Sequence, residues 1–390
     1  MNMQPISAQA DAMASDQPAA RLATRLAFLV AGFGVACWAP LVPFAKQRLG
    51  VDDAVLGMLL LCIGLGSVIA MVITGAVSAR YGSKPVIVAG GIGLAVILPL
   101  LAIVSTPVSL GIALLAFGAS LGSLDVAMNI HGVEVERVEQ RPLMSGFHAL
   151  FSVGGFAGSA LMTFLLSVQT GIHASTLLCA VLMLGAIALA RPRLMATAQD
   201  DDSPLFVTPR GIVLVLAALT AITFLVEGAL LDWSALLITR KGLVAAAQGG
   251  LGYMLFSIAM TVGRLGGDAI TARVGDRSVV FWGGLLATAG FVVLLTAPIA
   301  ALAMLGFLLI GFGASNVVPV LFRKAGSQRA MPSTLAVAAI TTTGYAGNLA
   351  GPAGVGFVAN KVGLPGAFWV LAALLFLVPC CARLVTAKRP

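Results

Sequence analysis

The chain has 390 residues, of which 59% are hydrophobic and only 10% charged, and its mean hydropathy is +1.03. A soluble domain carries roughly a quarter charged residues, so most of this surface cannot face water. The net charge of +8 is spread over many short segments, which excludes a concentrated nucleic-acid patch. Five cysteines (Cys37, Cys62, Cys179, Cys380 and Cys381) all fall inside apolar runs, against a disulfide framework or a metal site.

Residues 1–20, "MNMQPISAQADAMASDQPAA", have no basic start and no apolar core. They read as a disordered cytoplasmic tail, not a cleaved signal. Twelve apolar stretches follow, each long enough to cross roughly 30 Å of hydrocarbon. They are expected at 24–45, 54–77, 85–104, 107–130, 144–168, 173–190, 211–236, 248–271, 278–296, 298–321, 333–357 and 364–386. The most polar interruption, 191–210, divides them into an N-terminal six-helix bundle (21–190) and a C-terminal one (211–390). The 45 glycines suit helices that pack closely in lipid. With the N-terminus inside, Arg80, Lys84, Arg137, Arg191, Arg193, Arg273, Arg277, Arg323 and Lys324 share the inner side. Only Lys46, Arg48, Arg240, Lys241 and Lys361 lie opposite, and Arg264 falls within a span. That asymmetry puts both termini in the cytoplasm.

The halves repeat each other. "FGAS" at 117–120 recurs at 312–315, an offset that also carries Trp38 onto Trp233 and "LGMLL" (56–60) onto "LGYML" (251–255). After a two-residue slip, "ARYGSK" (79–84) matches "ARVGDR" (272–277), and "GFAG" (155–158) matches "GYAG" (344–347). A 6+6 duplication points to an all-α integral membrane transporter with its site near mid-membrane between the repeats.

Over essentially all of residues 21–390 the chain resembles the major facilitator superfamily. In the family's loop pattern between the second and third helices, Gly75, Arg80, Gly82 and Lys84 fit, but Ala79 replaces the usual Asp. The departure puts the usual charge-and-dipole latch at that loop in doubt. "DVAMN" in the fourth span and "GFHALFSVGG" in the fifth are similar to the bacterial inner-membrane branch related to fucose permease. The resemblance implies a cavity lined by the first, fourth, seventh and tenth spans, and loop residues Arg80, Gly82, Lys84, Arg273, Gly275 and Arg277 that take part in gating.

Charges in hydrocarbon cost roughly 2.5–3.5 kcal/mol on insertion scales, so intramembrane carboxylates mark interior faces. At 100° per residue, Gly118, Gly122, Asp125 and Asn129 share a stripe. It is either a packing seam or a cavity-facing proton or substrate site. Thr220, Thr223, Glu227 and Ser234 form a second stripe, and desolvation there disfavours the carboxylate ion. Glu227 is therefore expected either to exchange a proton or to stay neutral on a hydrogen bond. Asp232, nearer the outer end, is a vestibule candidate. His148 stands near the cytoplasmic mouth as a relay toward Asp125 or as a structural residue, while His131 and His173 read as loop or helix-end residues. Thr341, Tyr345 and Asn348 share a side of the eleventh span, open to a hydroxylated ligand or to helix packing. Trp38 and Trp233 read as interfacial anchors rather than gates, and Pro40 and Pro43 interrupt the first span. The loop residues Glu134, Glu136 and Arg137 stand opposite Arg80 and Lys84 as gate bridges or, by preference, as solvated loop.

No His-Glu-x-x-His, nucleophile elbow or Walker loop is present, against an enzyme. A transport-dead sensor or scaffold would not need polar stripes on several helices. The expectation is a monomeric, cofactor-free secondary transporter of the bacterial inner membrane that carries a small-molecule substrate by alternating access with proton coupling. A buried cation is wanted for anions, and only Arg264 offers one, so a neutral sugar-like substrate is favoured over proton-driven efflux of cationic or amphipathic compounds.

Overall fold

In the computed structural model, which describes residues 6–196, 208–245 and 248–387, helix α1 (Ile6–Trp38) stops where Pro40 and Pro43 remove backbone donors. A 3-10 turn (Ala39–Leu41) and a short α2 (Val42–Leu49) follow. The side chains of Asp52 and Thr106 cap the starts of α3 (Asp53–Tyr81) and α5 (Pro107–Glu139), and α4 (Ser83–Ile103) lies between them. Then come α6 (Met144–Ser167), α7 (Ile172–Ala190), α8 (Ile212–Arg240), α9 (Leu251–Thr296), α10 (Ala300–Ala314), α11 (Val317–Ser327) and α12 (Ser333–Thr386). No strand occurs among the described residues.

Among the described residues, ten helices are long and apolar enough to cross a membrane. Gly275 (φ 79°) breaks α9 and Gly363 (φ 77°) breaks α12, in a conformation that glycine tolerates at little cost. Each is therefore a pair of helices, in keeping with the twelve expected spans. Two departures stand out. Residues 6–20, expected as a disordered tail, lie in α1; residues 1–5 and most of the linker, 197–207, fall outside the described residues. The tenth span is split at Asn316, because Pro319 has no N–H to give the carbonyl of Ser315.

Two compact units divide the chain. The first holds 6–141 and 150–196, the second 142–149 and 208–387. In the first unit, α3 and α5 close on small residues: a Cβ at Gly118 would strike the Ile63 carbonyl, and Ser67 Oγ donates to Gly118 O at 2.8 Å. The glycine part of the Asp125 stripe is thus a packing seam. His131 is buried inside α5, not at a helix end. Met195 N–H donates to its Nε2 (3.0 Å), so Nδ1–H donates to Thr24 Oγ1 (2.9 Å), whose own hydrogen goes to Ala20 O (2.8 Å). One neutral imidazole thereby ties α1, α5 and the segment after α7. Trp38 is also buried, which removes it from the interfacial anchors.

In the second unit, Gly347 packs on the Ala221 carbonyl and Gly344 on Phe224, drawing α12 onto α8. Both units fasten one helix end in the same way. Arg48 donates to the carbonyls of Leu101 (2.8 Å), Ala102 (2.5 Å) and Val104 (3.0 Å) at the end of α4. Lys241 donates to Leu294 O (3.2 Å) and Leu295 O (2.7 Å) at the end of α9. Cations there satisfy orphan carbonyls and complement the helix dipole.

Candidate functional site

The second unit gathers the charged groups that the membrane makes costly. Glu227 on α8 stands 3.9 Å from Arg264 on α9, Oε2 to Nη2. The Arg264 side chain is only 7% exposed, whereas that of Glu227 is 30% exposed. Glu227 is therefore less buried than its sequence context led one to expect. The separation is too long for a hydrogen bond, so the two groups attract as charges without being clasped.

The helix break supplies the other side. Pro319 leaves the Ser315 carbonyl without its helical donor, and Arg264 Nε points to that oxygen at 3.4 Å. Asn316 Nδ2 donates to Gly263 O (3.0 Å) and to Ser315 Oγ (3.0 Å), anchoring the break to α9. Its Oδ1 lies over Gly267, where any side chain would collide. Tyr253, near the start of α9, is in electrostatic reach of Glu227, Arg264 and Asp232. One turn beyond Arg264, Asp268 accepts from Ser145 N–H (3.0 Å) and Gly146 N–H (2.9 Å) in the first turn of α6. Leucine at position 143, ahead of that helix, has no side-chain oxygen to cap it, so Asp268 acts as the cap from outside.

The expected site residues are distributed around this cluster unequally. Thr220 and Thr223 are buried and spend their hydroxyls on Leu216 O and Leu219 O, 2.8 Å each, so they present nothing to a solute. Thr341 does the same toward Val337 O. Tyr345 sets its ring edge-on to Phe224, 6.4 Å between centroids, and Asn348, exposed, lies against Gly228. Their contacts, Phe224 and Gly228, stand on either side of Glu227 in the sequence of α8. Asp232 is exposed. Asp125 and Asn129 belong to the first unit, where Asn129 Nδ2 donates to Asp125 O (2.9 Å). Asn129 Oδ1 is buried without a hydrogen-bond partner. His148 belongs to the second unit, its ring 5.5 Å from that of Phe322.

At the loops, Gly82 (φ 78°) and Gly275 make the two turns, and Arg80, Arg273 and Arg277 are exposed. Arg80 lies over the Tyr81 ring at 5.6 Å, and Lys84 is half-buried. Glu134 pairs with Arg137 on its own helix (2.6 Å), and Glu139 with Arg21 (2.9 Å) and Arg141 (2.8 Å). In the second unit the acid is Asp276, which bridges Arg323 and Lys324, the latter at 2.6 Å. Sequence reasoning missed Arg264 as a partner, along with Asp268 and Asp276. A lone arginine in an apolar span was the available signal, since such a charge must find a counter-charge.

Comparison with known proteins agrees with this architecture. The family model described as Major Facilitator Superfamily matches residues 25–330. An uncharacterised MFS-type transporter of Yersinia pestis is 49% identical over 370 residues, covering 94% of this chain and 96% of the relative. The fold matches the human organic anion transporter MFSD10, with a TM-score of 0.74 at 16% identity, covering 94% of this chain and 99% of that one. It also matches the E. coli fucose:proton symporter FucP, with a TM-score of 0.72 at 15% identity and coverage of 95% and 99%. Extent of match, identity and fold lead to one conclusion: the chain belongs to the major facilitator superfamily.

Proposed function

We propose that the protein is a monomeric secondary transporter of the bacterial inner membrane, with both termini cytoplasmic, that works by alternating access and couples to protons through Glu227. The observation that carries the reading is the loose Glu227–Arg264 pair beside the broken helix at Asn316. An ionised Glu227 neutralises the buried guanidinium, while a protonated one leaves Arg264 to its remaining polar partners. The two protonation states thus differ in net charge at one place, as a coupled carrier requires. The partial exposure of Glu227 gives a proton a way in. Unwound backbone at membrane depth is tolerated where it lines a cavity or is buried in protein, and it is a frequent site of substrate contact.

The substrate reading is a neutral, sugar-like molecule. Arg264 is engaged by Glu227 and the Ser315 carbonyl, so it is not an open clamp for an anion. Asn348 and Tyr345, which pack on Gly228 and Phe224 of the helix that carries Glu227, suit hydroxyl groups. Asp125, with the unsatisfied Asn129 Oδ1 near it, has the supporting role.

Glu227→Gln keeps shape and hydrogen bonding but cannot titrate. In proteoliposomes with an imposed pH gradient and a panel of labelled sugars and polyols, it should lower accumulation at least tenfold while substrate exchange persists. Full accumulation by this variant overturns the coupling role. Full accumulation by Asp125→Asn as well would place the coupling on another group, and equilibration without accumulation by the wild type would make the protein a uniporter.

A further inference from the structure

Helices α3 and α4 both rest on α5 and enclose a groove of about 620 Å³, within the roughly 300–1,000 Å³ typical of small-molecule sites. Ile73 and Tyr81 form one wall, Pro85 and Ala89 the other, and Ser120 and Ser123 the floor. The floor is less polar than its composition. Ser120 donates to Ala116 O at 2.9 Å, and Ser123 accepts from Thr74 Oγ1 at 3.1 Å. A polar solute would find few open partners there, whereas a hydrocarbon chain needs none. The walls belong to membrane-spanning helices, and Ile73, Tyr81, Pro85 and Ala89 are exposed, so the groove opens sideways to lipid.

One end of the groove is the Gly82 turn, on the side that charge placement assigns to the cytoplasm. Arg80 lies over the ring of the wall residue Tyr81, and Lys84 adjoins the wall residue Pro85. Arg80 and Lys84 correspond to Arg273 and Arg277 at the turn of the second unit, whose Asp276 has the uncharged Ser83 as its counterpart. Exposed Arg80 and half-buried Lys84 give the apolar groove a basic mouth.

We propose that this groove is a binding site for an anionic phospholipid of the cytoplasmic leaflet, one acyl chain lying between α3 and α4 and the headgroup phosphate held by Arg80 and Lys84. Two basic residues at a membrane surface should favour an anionic over a zwitterionic headgroup by about 10- to 30-fold. Partial filling of the groove by an acyl chain would also fasten α3 to α4, which otherwise meet chiefly through α5.

The test uses the purified full-length protein in detergent, with native mass spectrometry to count retained lipid and a thermal shift to rank affinity. The probes are phosphatidylglycerol, phosphatidylcholine of the same chains, and glycerol 3-phosphate. The wild type should prefer phosphatidylglycerol by about 10- to 30-fold, and Arg80→Gln with Lys84→Gln should erase the preference. Ala89→Trp, and Ala89→Leu as a milder plug, should weaken both lipids several-fold. Equal binding of the two lipids by the wild type, or undiminished binding by both folded plug variants, overturns the proposal. Competition by glycerol 3-phosphate alone at the same concentration would also overturn it, since the site would then need no acyl chain.

Discussion

Arg48 and Lys241 stand 193 residues apart, and each closes the carboxyl end of a helix whose last carbonyls are also 193 residues apart. Gly82 and Gly275 repeat the same turn at the same spacing, with φ of 78° and 79°. These are jobs that the backbone plan imposes on both units, and both units do them. The membrane interior is different. Where the second unit has Glu227, the first has Gly32, pressed against the Phe151 carbonyl. Where the second has Pro319 and a broken helix, the first has Leu124 within the unbroken α5. Neither the carboxylate nor the break is needed to build the bundle. Features that one repeat can omit are better candidates for transport than features that both retain.

The comparison can be broken most forcefully at Gly32. Gly32→Ala should cost about 3 kcal/mol, because the new methyl meets main chain rather than a movable side chain. Glu227→Ala should cost only about 1–2 kcal/mol, since the carboxylate is partly exposed and its ion pair loose. Denaturant titration or thermal unfolding of the two variants checks this, and equal losses would mean that both positions answer to packing. A smaller effect compares the caps. Arg48→Met gives up three charge-assisted hydrogen bonds and should cost about 2 kcal/mol, against about 1 kcal/mol for Lys241→Met. A reversed order would show that the repeated geometry hides unequal roles.

The smallest effect separates the two cations by pH. Desolvation holds the Lys241 ammonium below the ordinary lysine range. A base whose folded value is depressed binds its proton more weakly folded than unfolded. Its contribution to stability therefore rises with pH through the interval between the two values. Wild type minus Lys241→Met should show that alkaline rise, by less than about 0.5 kcal/mol given the exposure of the side chain. A flat difference would remove the desolvation argument.

Much of this fold was legible because it is written in long, repetitive signals: apolar runs, the placement of Lys and Arg, and a repeated offset. The site was harder to read. Helical periodicity puts Thr220, Thr223 and Glu227 on one side of α8, yet it could not show that both hydroxyls turn back to carbonyls four residues earlier. Gly118 and Asp125 also share a stripe, but its glycines serve helix packing. The Glu227–Arg264 pairing joins helices 37 residues apart, a relation that no local period contains. Pro319 was a readable clue: a proline inside a span frees the carbonyl of residue 315, and a free carbonyl at that depth calls for a donor. His131 illustrates the opposite failure, where a residue near a loop in the sequence is buried by a helix that runs on to Glu139.

The carbonyl caps also set a schedule for biosynthesis. Arg48 and the Leu101 oxygen it binds are 53 residues apart, and so are Lys241 and the Leu294 oxygen. At about 5–20 residues per second, a nascent chain carries each cation for roughly 3–10 s before its partner has been made. Throughout that interval the cation depends on water or on the insertion machinery. A ribosome that pauses ahead of residue 101 or residue 294 prolongs the exposure, and release from it marks the moment at which each three-helix group can close.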